Sequence, residues 1–392
     1  MKTNQRGWIV VFAGTGINLA FGVLYAWSIF SSELQSAHNW SAGEASLPYT
    51  VAIIMFAVMM IPAGKLQDKL GPRKIASIGG LLIGAGCFLA GSFTTPWGLV
   101  FCFGIMAGSG IGLGYASTTP AAIKWFPPEK KGLITGIVIG GFGMASLYVS
   151  PLSKFLLSEY GMFNSFRIMG VIFLIMTISF SQFLANPKTP VVHVTNSAAV
   201  RDIGVSQMLK TKEFYQLWFM FFAGSTGGLM IIGHLKSIAG IQLGYDAGFI
   251  LVALAAIANA LGRPAGGFIS DRLGRGKTLS LLYFLTAAIF IMFVQFQTFL
   301  PVLLGTLIVY CCYGAMLSIY PSACGDNYGT KNLGLNYGIL FSAWGVGGIF
   351  GPMLGGIIKD TTGSYAQAFY ASALCLAAAA VVGLFYKPTT RK

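Results

Sequence analysis

Arg263 is the residue of this 392-residue chain that most needs a chemical reason, because it stands inside the apolar stretch 247–270. A guanidinium stays protonated at any cellular pH, and a charge near the centre of a bilayer costs at least ~2.5–3.5 kcal/mol. Two roles could justify that cost. The side chain could clamp a carboxylate through two parallel N–H donors, or it could be satisfied by helix carbonyls and drawn towards the surface along its own stem. Asn259 lies four residues earlier, so on a helix the two side chains share a face. It can orient the guanidinium, bind a hydroxyl, or make an ordinary interhelical hydrogen bond. His234 is the only histidine in an apolar stretch, and an imidazole ordinarily titrates near pH 6.5. Gating or relaying protons is open to it; a polar residue facing water is the blander alternative. Glu33, Glu44, Asp246 and Asp326 all fall near the ends of apolar stretches, which makes them poor relay partners.

Catalysis finds little support. The three histidines, His38, His193 and His234, are far apart, no HExxH occurs, and the scarce acids form no dyad inside an apolar stretch. No nucleotide-binding motif is present, so ATP-driven work is not expected, and no cofactor or metal is implied. The six cysteines lie in apolar segments or at their ends without CxxC spacing, as expected of free thiols.

The elements that must position these groups follow from composition. Hydrophobic residues make up 55% of the chain and charged residues 9%, against roughly 25% charged in a soluble domain. Disorder, collagen and coiled coil are excluded with the soluble enzyme, leaving a polytopic membrane protein. Its 52 glycines sit within apolar stretches, where small residues let helix backbones approach closely in lipid. A crossing helix needs roughly 17–25 apolar residues. Twelve segments qualify: 8–33, 44–66, 74–94, 97–124, 132–157, 163–185, 214–238, 247–270, 277–297, 299–322, 333–358 and 364–386. The expected fold class is an all-α membrane protein. The first segment follows Lys2 and Arg6 and continues past twenty residues without a small-residue cleavage site, so a retained helix is expected rather than a signal peptide.

The net charge of +14 does not indicate nucleic acid, because the basic residues occupy short loops between apolar runs. With the N-terminus inside, twenty Lys and Arg residues fall on the cytoplasmic side and four, Lys154, Arg167, Lys236 and Lys359, on the other. That asymmetry predicts cytoplasmic termini. Residues 186–213, with Pro187, Pro190 and a charge cluster, read as a cytoplasmic linker between two six-helix halves, 1–185 and 214–392. The halves repeat one another. Asp68-Lys69-Leu70-Gly71 recurs 203 residues later as Asp271-Arg272-Leu273-Gly274, and Pro120 and Pro151 recur 201 residues later as Pro321 and Pro352. Arg263 has no such counterpart: the matching positions hold Met60 and Ile61.

The stretch Gly64-Lys65-Leu66-Gln67-Asp68-Lys69-Leu70-Gly71-Pro72-Arg73-Lys74 resembles the loop 2–3 signature of the major facilitator superfamily, and residues 267–277 resemble its second copy. Narrower similarity comes from Gly22-Val23-Leu24-Tyr25-Ala26-Trp27, Lys124-Trp125-Phe126-Pro127, Gly262-Arg263-Pro264 and Asn336-Tyr337-Gly338. These resemble the bacterial monocarboxylate transporter and oxalate/formate antiporter group over essentially the whole chain. The resemblance implies two pseudo-repeated six-helix bundles around a midplane site and proton-coupled transport of a small monocarboxylate such as lactate or pyruvate. Exchange of oxalate with formate is the alternative, and a non-transporting carboxylate receptor on the same fold is another. It also implies a bacterial cytoplasmic membrane, with lipid, proton and substrate as partners and a monomer favoured.

Tyr115, after the glycine-rich run 108–114, matches a pocket tyrosine of the exchangers; Tyr25, Leu24, Tyr320 and Trp344 could supply hydroxyls and apolar walls around a short carbon chain. Packing is the alternative for each. Where the oxalate exchangers carry a second cation this sequence has Trp344, and one cation suits one carboxylate. Asn259 replaces an acid of the animal monocarboxylate transporters, which leaves the proton carrier unassigned. For Asp68, Arg73, Asp271 and Arg275 the resemblance implies charge contacts that lock an outward-facing state; solvated loop charge is the alternative. Gly351-Pro352-Met353-Leu354-Gly355-Gly356 resembles an exchanger motif usually found in helix 5, here displaced to the eleventh span.

Overall fold

The computed structural model describes residues 3–187, 202–245 and 248–388. Residues 188–201, half of the linker expected at 186–213 and including Pro190, lie outside the described residues. Within them the chain is helical, with no strand. Bilayer-spanning backbone must satisfy its own polar groups, and a helix does so within each segment.

The first span is α1 (Thr3–Phe21), a 3₁₀ turn (Gly22–Ala26) and α2 (Trp27–His38). The turn sits where Gly22 approaches the neighbouring helix: a Cβ there would fall 1.8 Å from that of Ala145. A capping box then opens α3 (Ala42–Leu70), with Ser41 accepting from the Glu44 N–H at 3.2 Å and the Ser41 N–H donating to the Glu44 carboxylate at 2.8 Å. It is followed by α4 (Pro72–Ala90). The fourth span is α5 (Pro96–Leu99), a π-helical stretch (Val100–Ala107) and α6 (Gly108–Ile123). A short 3₁₀ turn (Pro128–Lys130) leads into α7 (Lys131–Ser181), 51 residues long. At 1.5 Å per residue such a helix is more than twice as long as a bilayer core is thick. Gly161, with φ +71° and ψ 173°, breaks it, and the two parts are the expected fifth and sixth spans.

After α8 (Val205–Met208), the spans are α9 (Lys212–Leu243), α10 (Gly248–Leu273), α11 (Arg275–Phe293), α12 (Phe299–Tyr328), α13 (Leu333–Thr362) and α14 (Ala366–Phe385). Among the described residues eleven helical runs are long and apolar enough to cross a membrane, and the break of one of them at Gly161 brings the number of segments to the twelve expected. All six cysteines are unbonded thiols.

The chain forms two compact units, each discontinuous in sequence. Unit 1 takes Met1–Pro127, Ile137–Val194 and Thr330–Ile339; unit 2 takes Pro128–Gly136, Thr195–Gly329 and Leu340–Lys392. Unit 1 buries an aromatic stack in which Trp27 lies 4.4 Å from Phe103, and Phe30 4.5 Å from Phe166, centroid to centroid. Its polar tie is Asn18, whose amide reaches Gly14 O, Thr118 Oγ1 and Val138 O at 3.0–3.1 Å. Unit 2 is drawn together where α10 meets α12. Added Cβ atoms on Gly262 and Gly266 would fall 2.2 Å from Cys311 O and 2.3 Å from the Cβ of Ala315.

Candidate functional site

Helix α10 presents Arg263 and Asn259 on one face, as their spacing requires. Arg263 is 1% exposed and Asn259 4%, and the Arg263 Nε–H donates to Asn259 Oδ1 at 3.1 Å. The neighbouring backbones crowd this turn. A Cβ on Gly314 would lie 2.1 Å from the Asn259 carbonyl oxygen, and one on Gly136 would lie 2.4 Å from that of Arg263. The guanidinium is therefore fixed within packed helices and does not run out to the surface.

Two further aromatics named from sequence belong to the same unit. Trp344 is buried on α13, stacks on Phe341 at 4.9 Å and donates its indole N–H to the Tyr313 hydroxyl at 2.9 Å. Tyr320 on α12 stacks on Phe221 at 4.0 Å and shares a hydrogen bond with the Tyr283 hydroxyl. Tyr115 and Leu24 are buried in unit 1. Tyr115 meets Phe56 and Phe142 edge-on at 5.2 and 5.8 Å. Tyr25 shares the 3₁₀ turn with Leu24, and its side chain lies outside the described residues.

The charged motif is built twice, with different wiring. In unit 2, Asp271 closes α10 and accepts from the Gly132 and Leu133 N–H groups, each at 2.9 Å. These belong to the first turn of α7, whose N–H groups have no partner within their own helix and whose positive dipole end favours an anion. Arg275 pairs with Asp271 at 2.7 Å and with Asp326 at 2.9 Å, and Lys131 reaches Asp326 at 3.1 Å. In unit 1, Asp68 accepts from the Leu335 N–H of the first turn of α13 at 3.2 Å and from Gln67 at 2.6 Å, with Lys124 3.5 Å away. Gly71 and Gly274, which end the two Asp-basic-Leu-Gly copies, both hold φ +90°, a region open to glycine almost alone.

Arg73 stands outside this arrangement. It is exposed and donates to Gln182, with Nε at 2.8 Å. On the 203-residue offset Arg275 answers Pro72 and Arg73 answers Gly276, so the two arginines hold neighbouring, not equivalent, motif positions, and their contacts differ. The partners that sequence reasoning left out of the cluster are Asp326, Lys131, Lys124 and Ser270, the last receiving a bond from Arg275 at 2.6 Å. Asp326 has no first-half counterpart, since the position 201 residues earlier is Trp125. The one signal available was a lone acid at the end of a long apolar helix. Tyr313 carried no signal beyond its type.

His234 lies in the last three turns of α9, between Pro352 O and the Tyr365 hydroxyl at 2.9 and 3.1 Å. Among the described residues no group of histidine, cysteine and acidic side chains could hold a metal ion.

A twelve-span helical chain with duplicated Asp-basic-Leu-Gly motifs, each seated on a helix start, defines a class of membrane transporter. The Major Facilitator Superfamily model matches residues 8–332 and 250–392, and the chain belongs to that superfamily. It is similar to the oxalate:formate antiporter of Oxalobacter formigenes, 27% identical over 92% of this chain and 86% of the relative. It is also similar to monocarboxylate transporter 13 of Rattus norvegicus, 28% identical over 96% and 88%. Among solved structures, the E. coli fucose:proton symporter FucP shares the fold with a TM-score of 0.75 at 14% identity, covering 97% of this chain and 98% of that one.

Proposed function

We propose that the protein is a secondary active transporter of small monocarboxylates of the lactate and pyruvate type, working by alternating access and proton symport. Its setting in this reading is the cytoplasmic membrane of a bacterium, with both termini cytoplasmic. The observation that carries the reading is Arg263, a permanent cation 1% exposed within an apolar span and oriented by Asn259. A guanidinium in a water-poor setting is matched in charge and geometry by a planar carboxylate, which it meets through parallel N–H bonds. Similarity to an oxalate:formate antiporter and a monocarboxylate transporter supports a carboxylate as substrate. Trp344, which already donates its N–H to Tyr313, supports one carboxylate rather than two.

Arg263 is assigned the substrate clamp and Asn259 its orientation, with Trp344, Tyr320, Tyr115, Tyr25 and Leu24 as walls and hydroxyls of the pocket. Asp68, Asp271 and Arg275 are assigned to stabilising one state of the cycle. The antiporter likeness also favours a second reading, oxalate/formate exchange.

Purified protein in proteoliposomes separates these readings. An inward proton gradient should drive accumulation of labelled lactate, uptake should rise as external pH falls, and pyruvate should compete where oxalate does not. Oxalate–formate counterflow indifferent to the proton gradient would establish exchange instead. Binding without accumulation would indicate a receptor.

A further inference from the structure

Lys212, Tyr215, Trp218 and Phe222 stand three or four residues apart and share one face of α9. Tyr215 is 60% exposed, and Trp218 and Phe222 are half-buried, whereas Leu217 and Met220, which point inward from the same turns, are fully buried. The rings form a continuous track. Trp218 lies nearly parallel to Phe222 with centroids 5.8 Å apart, and Phe222 meets the exposed Phe350 of α13 edge-on at 5.9 Å. Their polar atoms are already spent: the Tyr215 hydroxyl donates to Leu209 O at 3.1 Å and the Trp218 indole N–H to Ser342 Oγ at 3.0 Å. What the track turns outward is therefore hydrocarbon and ring face.

Its first turn is charged. Lys210 and Lys212 are exposed, and among the described residues neither pairs with an acid. Glu213 stands on the inward side of α9, in register with Leu217 and Met220, and is half-buried. The turn that carries the two lysines is held from behind. Thr211, between them, donates to Met208 O at 2.7 Å, so it accepts from the Tyr328 hydroxyl at 3.0 Å, and the Ile203 N–H donates to Tyr328 O at 3.0 Å. Both lysines thus leave a backbone pinned to the end of α12, and a ligand that uses them pays less ordering entropy than on a loose loop.

Length decides what fits. Ten residues separate Lys212 from Phe222, about 15 Å along a helix, which is half of the ~30 Å hydrocarbon core of a bilayer. Two cations followed by one leaflet's depth of aromatic surface match a molecule anionic at one end and apolar beyond it. A small phosphate would use the lysines and leave the rings without a partner.

We propose that this face of α9 and α13 binds an anionic phospholipid, with the headgroup phosphate on Lys210 and Lys212 and an acyl chain along Tyr215, Trp218, Phe222 and Phe350. On the proposed topology the lipid belongs to the cytoplasmic leaflet. The site does not depend on what the protein transports.

Trp218 supplies the readout, because brominated acyl chains quench an indole they touch. The full-length protein is reconstituted in nanodiscs of phosphatidylcholine with rising fractions of phosphatidylglycerol, one or the other brominated. The Trp218 signal is the difference between each protein and its Trp218→Phe counterpart. The parent should select phosphatidylglycerol by about 30-fold, the order expected of two lysines at an anionic headgroup, and Lys210→Gln/Lys212→Gln should not discriminate. Lys210→Arg/Lys212→Arg should keep the preference, as should Lys65→Gln/Lys130→Gln, which removes two exposed lysines elsewhere. Salt tests the parent alone: at about 1 M, where the Debye length is ~3 Å, its selectivity should collapse. A parental selectivity near one, a preference that survives in the glutamine pair, or one indifferent to salt would overturn the site. Displacement of the lipid by soluble glycerol phosphate would reassign the lysines to a phosphate site, and two chains per nanodisc with Trp218 shielded from every brominated lipid would give the face to a second copy; either result overturns the proposal.

Discussion

Gly267 and Gly132 meet backbone to backbone, such that a Cβ on Gly267 would fall 2.0 Å from the Gly132 carbonyl oxygen. Four residues further along α10, Asp271 accepts two N–H groups from the same turn of α7. The duplicate is Gly64 against Gly334, where a Cβ on Gly64 would fall 2.1 Å from the Gly334 carbonyl oxygen, with Asp68 bonded to Leu335. In each copy the glycine contact sets the distance and the acid uses it.

The two acids should not be equal under mutation. Asp271→Asn removes a charge from a buried pair, at a cost of about 3 kcal/mol, the low end because Asp326 still holds Arg275. Asp68→Asn removes a charge whose bond to the Leu335 N–H is longer, 3.2 Å, and whose cation, Lys124, stands 3.5 Å away, a loss of about 1–2 kcal/mol. Thermal unfolding in detergent and transport rate should therefore fall more for Asp271→Asn. The reverse order would mean that the Arg275 network contributes little.

Arg73→Ala should change stability by no more than about 0.5 kcal/mol, as at an exposed position, and leave uptake near parental. Arg275→Ala leaves Asp271 and Asp326 close together without the cation between them and should abolish uptake or folding. Equal damage from the two would show that the observed contacts do not decide what each arginine contributes.

Arg263→Gln should abolish measurable uptake, and Arg263→Lys should be severely impaired because an ammonium lacks the planar fork. Losing one partner of a buried charge pair costs about 2–5 kcal/mol, roughly 30-fold to several-thousand-fold in affinity. Asn259→Ala should weaken binding less, by about 1.5–3 kcal/mol, the range of a hydrogen bond to a charged group. Binding and uptake of labelled lactate, with melting temperature as the folding control, measure all three; parental affinity in folded Arg263→Gln would make the arginine architectural.

Trp344→Lys places a second cation on α13 and breaks the bond to Tyr313. Competition assays should show oxalate gaining on lactate. A folded variant with unchanged preference would remove Trp344 from the pocket.

The spans, the duplication and the superfamily were legible along the chain because each is a local property. A bilayer forces backbone bonding into continuous apolar helices, and a repeated motif keeps its spacing whatever surrounds it. The pairing of Asn259 with Arg263 was legible for the same reason, being set by one turn of helix. Partners on different helices were not. Arg275 stands one turn after Asp271, but its second carboxylate, Asp326, comes from another helix, and Arg73, one position later in its own motif copy, finds Gln182; which partner comes within reach depends on where glycines let backbones close. His234 could be picked out by type, but its carbonyl and hydroxyl come from residues 118 and 131 positions away. Hydropathy carries no term for such contacts, because they arise only when separate helices pack and each buried polar atom must find a partner.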